Sequence, residues 1–323
     1  MKIINSLLAI LLIFISSITQ AYEGKEEAEY IFSQIKDITS PSLEDYLLLQ
    51  DFLFYGERPY LKVFDELSCP PKSTMQSYQR RSCRNLRLIG DNYEMPVYKI
   101  YHVNSSPKNK ERCIVLYASF NSYYPSKVKR LVSELKNTGY QGHIILRIGG
   151  YPNLLDKGLL FCHIPYAWKI CAIMEAKNLG YKNILWLDAA FHPISDLNVI
   201  FKIIKKFGYL FIYEEEIDFD KSIFSRTSLQ SLGMDNGKNK IPHILGGIIG
   251  FNVEIPKIAN FLQQWQEITK KVKPNLSTFP EELPLSVLAW RNSLRPVCRA
   301  RKIFTYDPNK KNLHFFHDSH APE

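Results

Sequence analysis

Past its first two dozen residues, the 323-residue chain has no run of the roughly 18 uninterrupted apolar residues that a membrane-spanning helix needs. It has no internal repeat and no long low-complexity tract, which excludes a stacked-repeat architecture. It carries no nucleic-acid-binding motif, and its Lys residues are scattered rather than clustered, so nucleic acid is not an expected partner. Cysteine is sparse, six residues in all. What is present, 46% hydrophobic residues with 13% aromatics, is the composition of a globular protein with a sizeable core.

The apolar opening reads as a targeting segment. Lys2 gives it a positive start, Ser6 to Ile18 form a short apolar core, and Thr19-Gln20-Ala21 offers a small-x-Ala cleavage site. The core is too short for an ordinary span, so a signal peptide over residues 1–21 is expected. The mature chain would be exported, secreted or held in the ER or Golgi lumen, and would touch no membrane after cleavage. That setting permits disulfides. Cys69 and Cys83 flank the polar loop "CPPKSTMQSYQRRSC" and are the best pair, whereas Cys113, Cys162 and Cys171 lie in apolar runs, where inert buried thiols are expected.

Charge is unevenly distributed. Glu23 to Lys110 holds 12 basic and 13 acidic residues, net −1, and the remainder from Glu111 holds 28 and 19, net +9. A basic second half suits an anionic ligand such as a nucleotide diphosphate, although an ordinary solubilising surface accounts for it equally well.

Residues 22–110 read as a helical and loop appendage. "SPSLEDYLLLQDFL" has Ser42 and acids in its first turn ahead of apolar helical spacing, and residues 68–95 read as a loop. Residues 111–323 alternate strands and helices: "RCIVLYASF", "SKVKRLVSELKNTGY" with Val128, Leu131, Val132 and Leu135 on one face, "GHIILRI", "PYAWKICAIMEAKNLG", "NILWLDA", "SDLNVIFKIIKKFG" and "YLFIYEE". "HILGGIIGFN" returns to strand character, and two further helices follow in "IPKIANFLQQWQEITKKV" and "PEELPLSVLAWRNSL". This alternation predicts an α/β fold with a mostly parallel sheet flanked by helices.

The candidate chemistry centres on Leu187-Asp188-Ala189-Ala190, an acid at the carboxyl end of the strand "NILWL", where open α/β sheets place ligands. Lys169 is the only cation in the first two turns of a mostly apolar helix. Facing inward it needs an anionic partner, and facing outward it is an ordinary surface Lys. Gly246-Gly247 marks either a plain bulge or a close backbone approach by a ligand. Glu281 and Glu282 open a helix, where the dipole alone favours acids. Asp196, just past the motif with His192, reads as an N-terminal helix residue. The tail "LHFFHDSH" supplies His314, His317, Asp318 and His320, either as ligands or as an exposed end.

In order and spacing, "CIVLYASFN", "AWKICAIMEAKNLGYKNILWLDAAFHPISDL", "HILGGIIGFN" and "FPEELPLSVLAW" resemble the GT-A fold of nucleotide-sugar glycosyltransferases, over roughly residues 113–320. The resemblance implies transfer of a sugar from a UDP- or GDP-sugar to a hydroxyl on a glycan, protein or lipid. It implies that Tyr117, on the first nucleotide-facing strand, together with Asp188, Lys169, His243, Gly246 and Gly247, meets the donor. A divalent metal, Mn²⁺ or Mg²⁺, would be held by Asp188 with a C-terminal His, here His317, and would neutralise the leaving diphosphate. Glu282 or Glu281 would act on the acceptor hydroxyl. This chain departs from the Asp-x-Asp pattern, because Ala190 stands where the second Asp belongs. Three outcomes follow: metal held by Asp188 with other groups, leaving-group stabilisation by cations without metal, or a catalytically silent module that binds a glycan or partner protein. A nucleotidyltransferase is disfavoured, since no Gly-rich loop with Arg or Lys follows the first strand.

Overall fold

A computed structural model describes residues 97–118, 124–148, 166, 168–217, 226–234, 241–271, 273–275, 280–305 and 315–318. The expected signal peptide, the helices and loop before residue 97, the Cys69–Cys83 pair, Cys162, the Gly149-Gly150 turn, His314 and His320 lie outside those residues. In chain order the elements are β1 (Val97–Val103), β2 (Arg112–Ala118), α1 (Tyr124–Asn137), β3 (Gly142–Ile148), α2 (Trp168–Asn178), β4 (Asn183–Leu187), β5 (Phe191–Pro193) and α3 (Asn198–Phe207). There follow β6 (Tyr209–Leu210), β7 (Ile212–Ile217), α4 (Arg226–Ser231), β8 (Ile241–Ile244), β9 (Ile248–Asn252), α5 (Pro256–Thr269) and α6 (Glu282–Arg291). Three short strands come last among the described residues: β10 (Cys298–Arg299), β11 (Phe304–Thr305) and β12 (Phe316–Asp318).

The main sheet has six strands in the order β1-β3-β2-β4-β9-β6. Its centre, β3-β2-β4, is parallel as the alternation predicts, because α1 and α2 carry the chain back across the sheet. Its edges are antiparallel: β1 runs against β3, and β9 runs against both β4 and β6. The sheet is therefore mixed. β1, from within residues 22–110, supplies one edge.

Both faces are covered, which is why β2 reads as a continuous apolar run. Cys113, Val115 and Tyr117 enter one core with α2 and α5, and the alternate residues Ile114, Leu116 and Ala118 enter the other with α1 and α3. The four apolar positions expected to line α1 are its buried residues. Each is worth roughly 1.5–3 kcal/mol on burial. Helix α3 ends at Gly208, whose φ of 86° lets its N–H reach the Ile204 carbonyl at 2.8 Å.

Two expected strands divide. "YLFIYEE" breaks after Leu210, so that β6 stays in the main sheet and β7 joins a three-stranded sheet, β10-β7-β8. "HILGGIIGFN" breaks at Leu245-Gly246-Gly247, putting β8 in that second sheet and β9 in the first. A third small sheet, β11-β12-β5, lays the C-terminal strand beside the residues just past Asp188. Among the described residues no helix is long and apolar enough to cross a membrane. Cys113 and Cys171 are buried.

Candidate functional site

Asp188 follows β4 directly, at the carboxyl end of the parallel strands. Val115 of β2 pairs with Trp186 of β4, and two residues farther along each strand come Tyr117 and Asp188. The Asp188 backbone N–H donates to the Gly247 carbonyl at 2.9 Å, tying the end of β4 to the turn between β8 and β9. From α1, Arg130 Nη2 donates to the carbonyls of Ala189 and Phe191, both at 3.1 Å, and clamps the turn from the other side.

Lys169 comes from the first turn of α2, whose apolar sides are buried against the sheet, and the inward alternative holds: the residue is 1% exposed. Its ammonium donates to Glu281 Oε1 at 2.8 Å and to the Gly246 carbonyl at 3.0 Å. It lies 3.1 and 3.2 Å from the two Asp188 oxygens. The rings of Tyr166 and Trp186 flank it, with centroids at 5.0 and 5.7 Å. Burial pulls the ammonium towards its neutral form, but the attraction of Asp188 and Glu281 outweighs this and lifts its pKa above the usual Lys value.

The two acids at the start of α6 divide their work. Glu281, at the N-cap, makes no side-chain capping bond on its own helix and turns its carboxylate to Lys169 instead. It is 3% exposed, and its Oε2 has no hydrogen-bond partner among the described residues. Burial, opposed by Lys169 and reinforced by Glu282, pushes its carboxyl up to about 7. Glu282 accepts the Gly246 N–H on Oε1 at 2.8 Å and faces His243 Nε2 from Oε2 at 2.7 Å. Ser286, one turn on, donates to the Glu282 carbonyl and accepts the Ile244 N–H, locking α6 to β8.

The Gly pair is a turn between sheets, and side chains there would crowd the cluster, most severely at Gly246. A Cβ on Gly246 would lie 2.6 Å from Glu281 Oε1, and one on Gly247 would lie 3.0 Å from the Phe191 ring and 3.5 Å from Asp188 Oδ2. Asp188, Lys169, Gly246, Gly247, Glu281, Glu282 and His243 thus converge from five segments, and Tyr117 is buried at the neighbouring strand end. Asp196 accepts the Asn198 N–H at 2.8 Å, as a residue at a helix start does, and His192 pairs with Glu134 at 2.9 Å. The backbone of His317 pairs with His192 in the third sheet, and its side chain lies outside the described atoms.

The described residues do not fit a divalent cation at Asp188. Its Oδ1 already accepts the Trp186 indole N–H at 2.7 Å, and the Lys169 ammonium bridges both oxygens. Ala190, in place of a second acid, is fully buried. No group of three His, Cys, Asp or Glu among the described residues could hold a metal. A divalent ion about 4 Å from the ammonium would meet repulsion on the order of 8 kcal/mol at an effective dielectric of about 20.

Trp186, Arg130 and Ser286 were not anticipated. Trp186 stands two residues before Asp188, on the same strand face, and Ser286 four after Glu282 on one helix face, so period alone pointed to both. Arg130 has no local signal, because its partners lie about sixty residues away.

No protein-family model matches the chain, and neither does any curated protein. Among solved structures it is similar to a glycosyltransferase involved in glycosylation of the major capsid of PBCV-1, at 14% identity and a TM-score of 0.40, over 65% of this chain and 95% of that one. It is similar to mouse xyloside xylosyltransferase 1 at 10% identity and 0.38, over 65% and 95% of the two chains. It is similar to the galactosyltransferase LgtC at 12% and 0.37, over 65% and 87%. Similarities of this depth carry no argument about activity, which is drawn from the site's own residues below.

Proposed function

We propose that the chain is a glycosyltransferase, moving a sugar from a UDP- or GDP-sugar to a hydroxyl on a glycan, protein or lipid in an exported compartment. The observation that carries this reading is the Lys169–Asp188–Glu281 cluster at the carboxyl ends of β2 and β4, where open α/β sheets take their ligands. Asp188 is the partly open member, with 24% of its side chain exposed, and it leads outward from a buried charge cluster. The donor lies over Tyr117 and Asp188 with its sugar against the Gly246-Gly247 turn, where the missing side chains allow close approach.

Sugar transfer needs stabilisation of the leaving diphosphate and a proton acceptor for the attacking hydroxyl. Lys169 offsets one of the two carboxylate charges beneath the diphosphate and so lessens the repulsion the anion meets. Glu282 spends both oxygens on Gly246 and His243, whereas Glu281 keeps Oε2 unengaged among the described residues. Glu281 is therefore the candidate acceptor, with Glu282 holding the turn in place.

A second reading, a silent module that binds a glycan or partner protein, draws on two observations. Ala190 is buried where a second acid would stand, and the Lys169 ammonium is spent on partners within the chain. Purified protein screened for hydrolysis of common UDP- and GDP-sugars, with and without Mn²⁺, separates the two. The transferase reading expects nucleotide release from at least one donor, and calorimetric UDP binding weakened at least tenfold in Asp188→Ala. No release and no nucleotide binding in either protein leaves the silent module.

A further inference from the structure

Around Lys169 Nζ stand two carboxylates and one backbone carbonyl, and together they form a set of hard oxygen donors. Asp188 offers both oxygens at 3.1 and 3.2 Å, Glu281 one at 2.8 Å, and Gly246 its carbonyl at 3.0 Å. Two aromatic rings close the remaining sides, and the ammonium is 1% exposed. Such oxygens are also what a divalent cation selects. A Cβ on Gly246 would strike Glu281 Oε1, so the turn and the acid approach each other closely, with the Gly246 carbonyl and Oε1 both on the ammonium.

We infer that Lys169 is the resident cation of the site, covalently fixed where a divalent ion would otherwise sit, so that ligand binding here requires no metal and removal of the Lys side chain uncovers a metal site. The ammonium faces both carboxylates from within the chain and cancels one of their two charges. A free divalent cation would have to enter the same set of oxygens beside a group of the same sign. With the side chain cut back to Cβ, Asp188, Glu281 and the Gly246 carbonyl surround a space with no counter-charge, and a hard divalent ion satisfies all three. The inference rests on the proposed nucleotide site only in its ligand arm; the metal arm stands on the cluster alone.

Mn²⁺ binding to the full chain, followed by electron paramagnetic resonance and calorimetry, tests it without reference to activity. Wild-type protein is expected to show no Mn²⁺ site that depends on Asp188. Lys169→Ala is expected to bind Mn²⁺ at least tenfold more tightly than wild type, to rise in melting temperature on adding Mn²⁺, and to lose both in Lys169→Ala/Asp188→Ala. A wild-type Mn²⁺ site that disappears in Asp188→Asn overturns the inference, and this comparison decides the matter even if Lys169→Ala does not fold. A folded Lys169→Ala with no gain in Mn²⁺ affinity also overturns it. In the ligand arm, UDP affinity of wild type should change less than threefold between Mn²⁺ and EDTA, and a larger loss in EDTA overturns the metal-free role. Absence of UDP binding under both conditions counts against the proposed function and leaves the Mn²⁺ result to decide the cation inference.

Discussion

Replacing Gly246 by Ala tests the packing of the cluster with one added carbon. An ideal Cβ there falls 2.6 Å from Glu281 Oε1, 3.1 Å from Cγ and 3.2 Å from Cδ, all closer than ordinary van der Waals contact. Glu281 cannot swing aside freely, because it is buried and its Oε1 is held by Lys169 at 2.8 Å. Either the turn shifts or Oε1 leaves the ammonium. Overpacking of this kind costs about 1–3 kcal/mol, and loss of a hydrogen bond to a charged group about 1.5–3 kcal/mol. Since movement of one partner relieves part of the other strain, a net loss of about 2–5 kcal/mol is expected. At about 2–4 °C for each kcal/mol, thermal unfolding followed by circular dichroism should drop by roughly 5–15 °C. In a Glu281→Ala background the clashing atoms are gone, so the same substitution should cost far less, and the double-mutant cycle should be strongly non-additive. A Gly246→Ala protein melting within about 2 °C of wild type, or an additive cycle, would refute the tight approach of turn and acid.

Other outcomes follow from the same geometry. The Glu281 carboxyl is pushed from the usual 4.5 up to about 7, so between those values the folded chain binds more protons than the unfolded one, and this group's contribution to stability falls as pH rises. Glu281→Gln should remove that slope, which urea unfolding at pH 5 and pH 7.5 measures as a wild-type-minus-variant difference; an unchanged difference would contradict the buried carboxyl. Trp186→Phe deletes the N–H that meets Asp188 together with part of a buried ring system, and should cost about 2–4 kcal/mol in chemical denaturation; the hydrogen-bond share of that, about 1–2 kcal/mol, should be absent in an Asp188→Ala background. Arg130→Met frees the carbonyls of Ala189 and Phe191 and should cost about 1–3 kcal/mol, whereas Arg130→Lys, which keeps one charged donor, should recover part of it. Leu131→Ala, at the fully buried centre of α1, should lose about 2–5 kcal/mol in the same assay.

The residues of the cluster were legible because each is locally out of place. Asp188 is an acid ending an apolar strand, Lys169 a cation in an apolar helix, Gly246-Gly247 a gap in a strand pattern, and Glu281-Glu282 a pair of acids at a helix start. Their mutual pairing was not legible. The Lys169–Glu281 bond joins residues 112 apart and the His243–Glu282 contact residues 39 apart, separations over which local pattern carries no information. Helix faces emerged well, as α1 shows, since period 3.6 is written in the apolar spacing. Strand direction did not, because β9 and β1 have the same side-chain alternation whether they run parallel or antiparallel. The division of "HILGGIIGFN" between two sheets is likewise decided by where β4 and β7 stand, which the ten residues themselves do not encode.

The span of the Lys169 contacts imposes an order on folding. During synthesis Lys169 has Asp188 within 19 residues, the Gly246 carbonyl only after 77, and Glu281 after 112. Until the last of these emerges, a charge destined for the interior has one of its two carboxylate partners. A ribosome-bound or truncated chain ending short of residue 281 therefore cannot seal the region around α2, and closure of the interior waits on α6. Pairings this distant form late and slowly, so the nascent protein carries an open polar seam while the 112 residues from Lys169 to Glu281 are made.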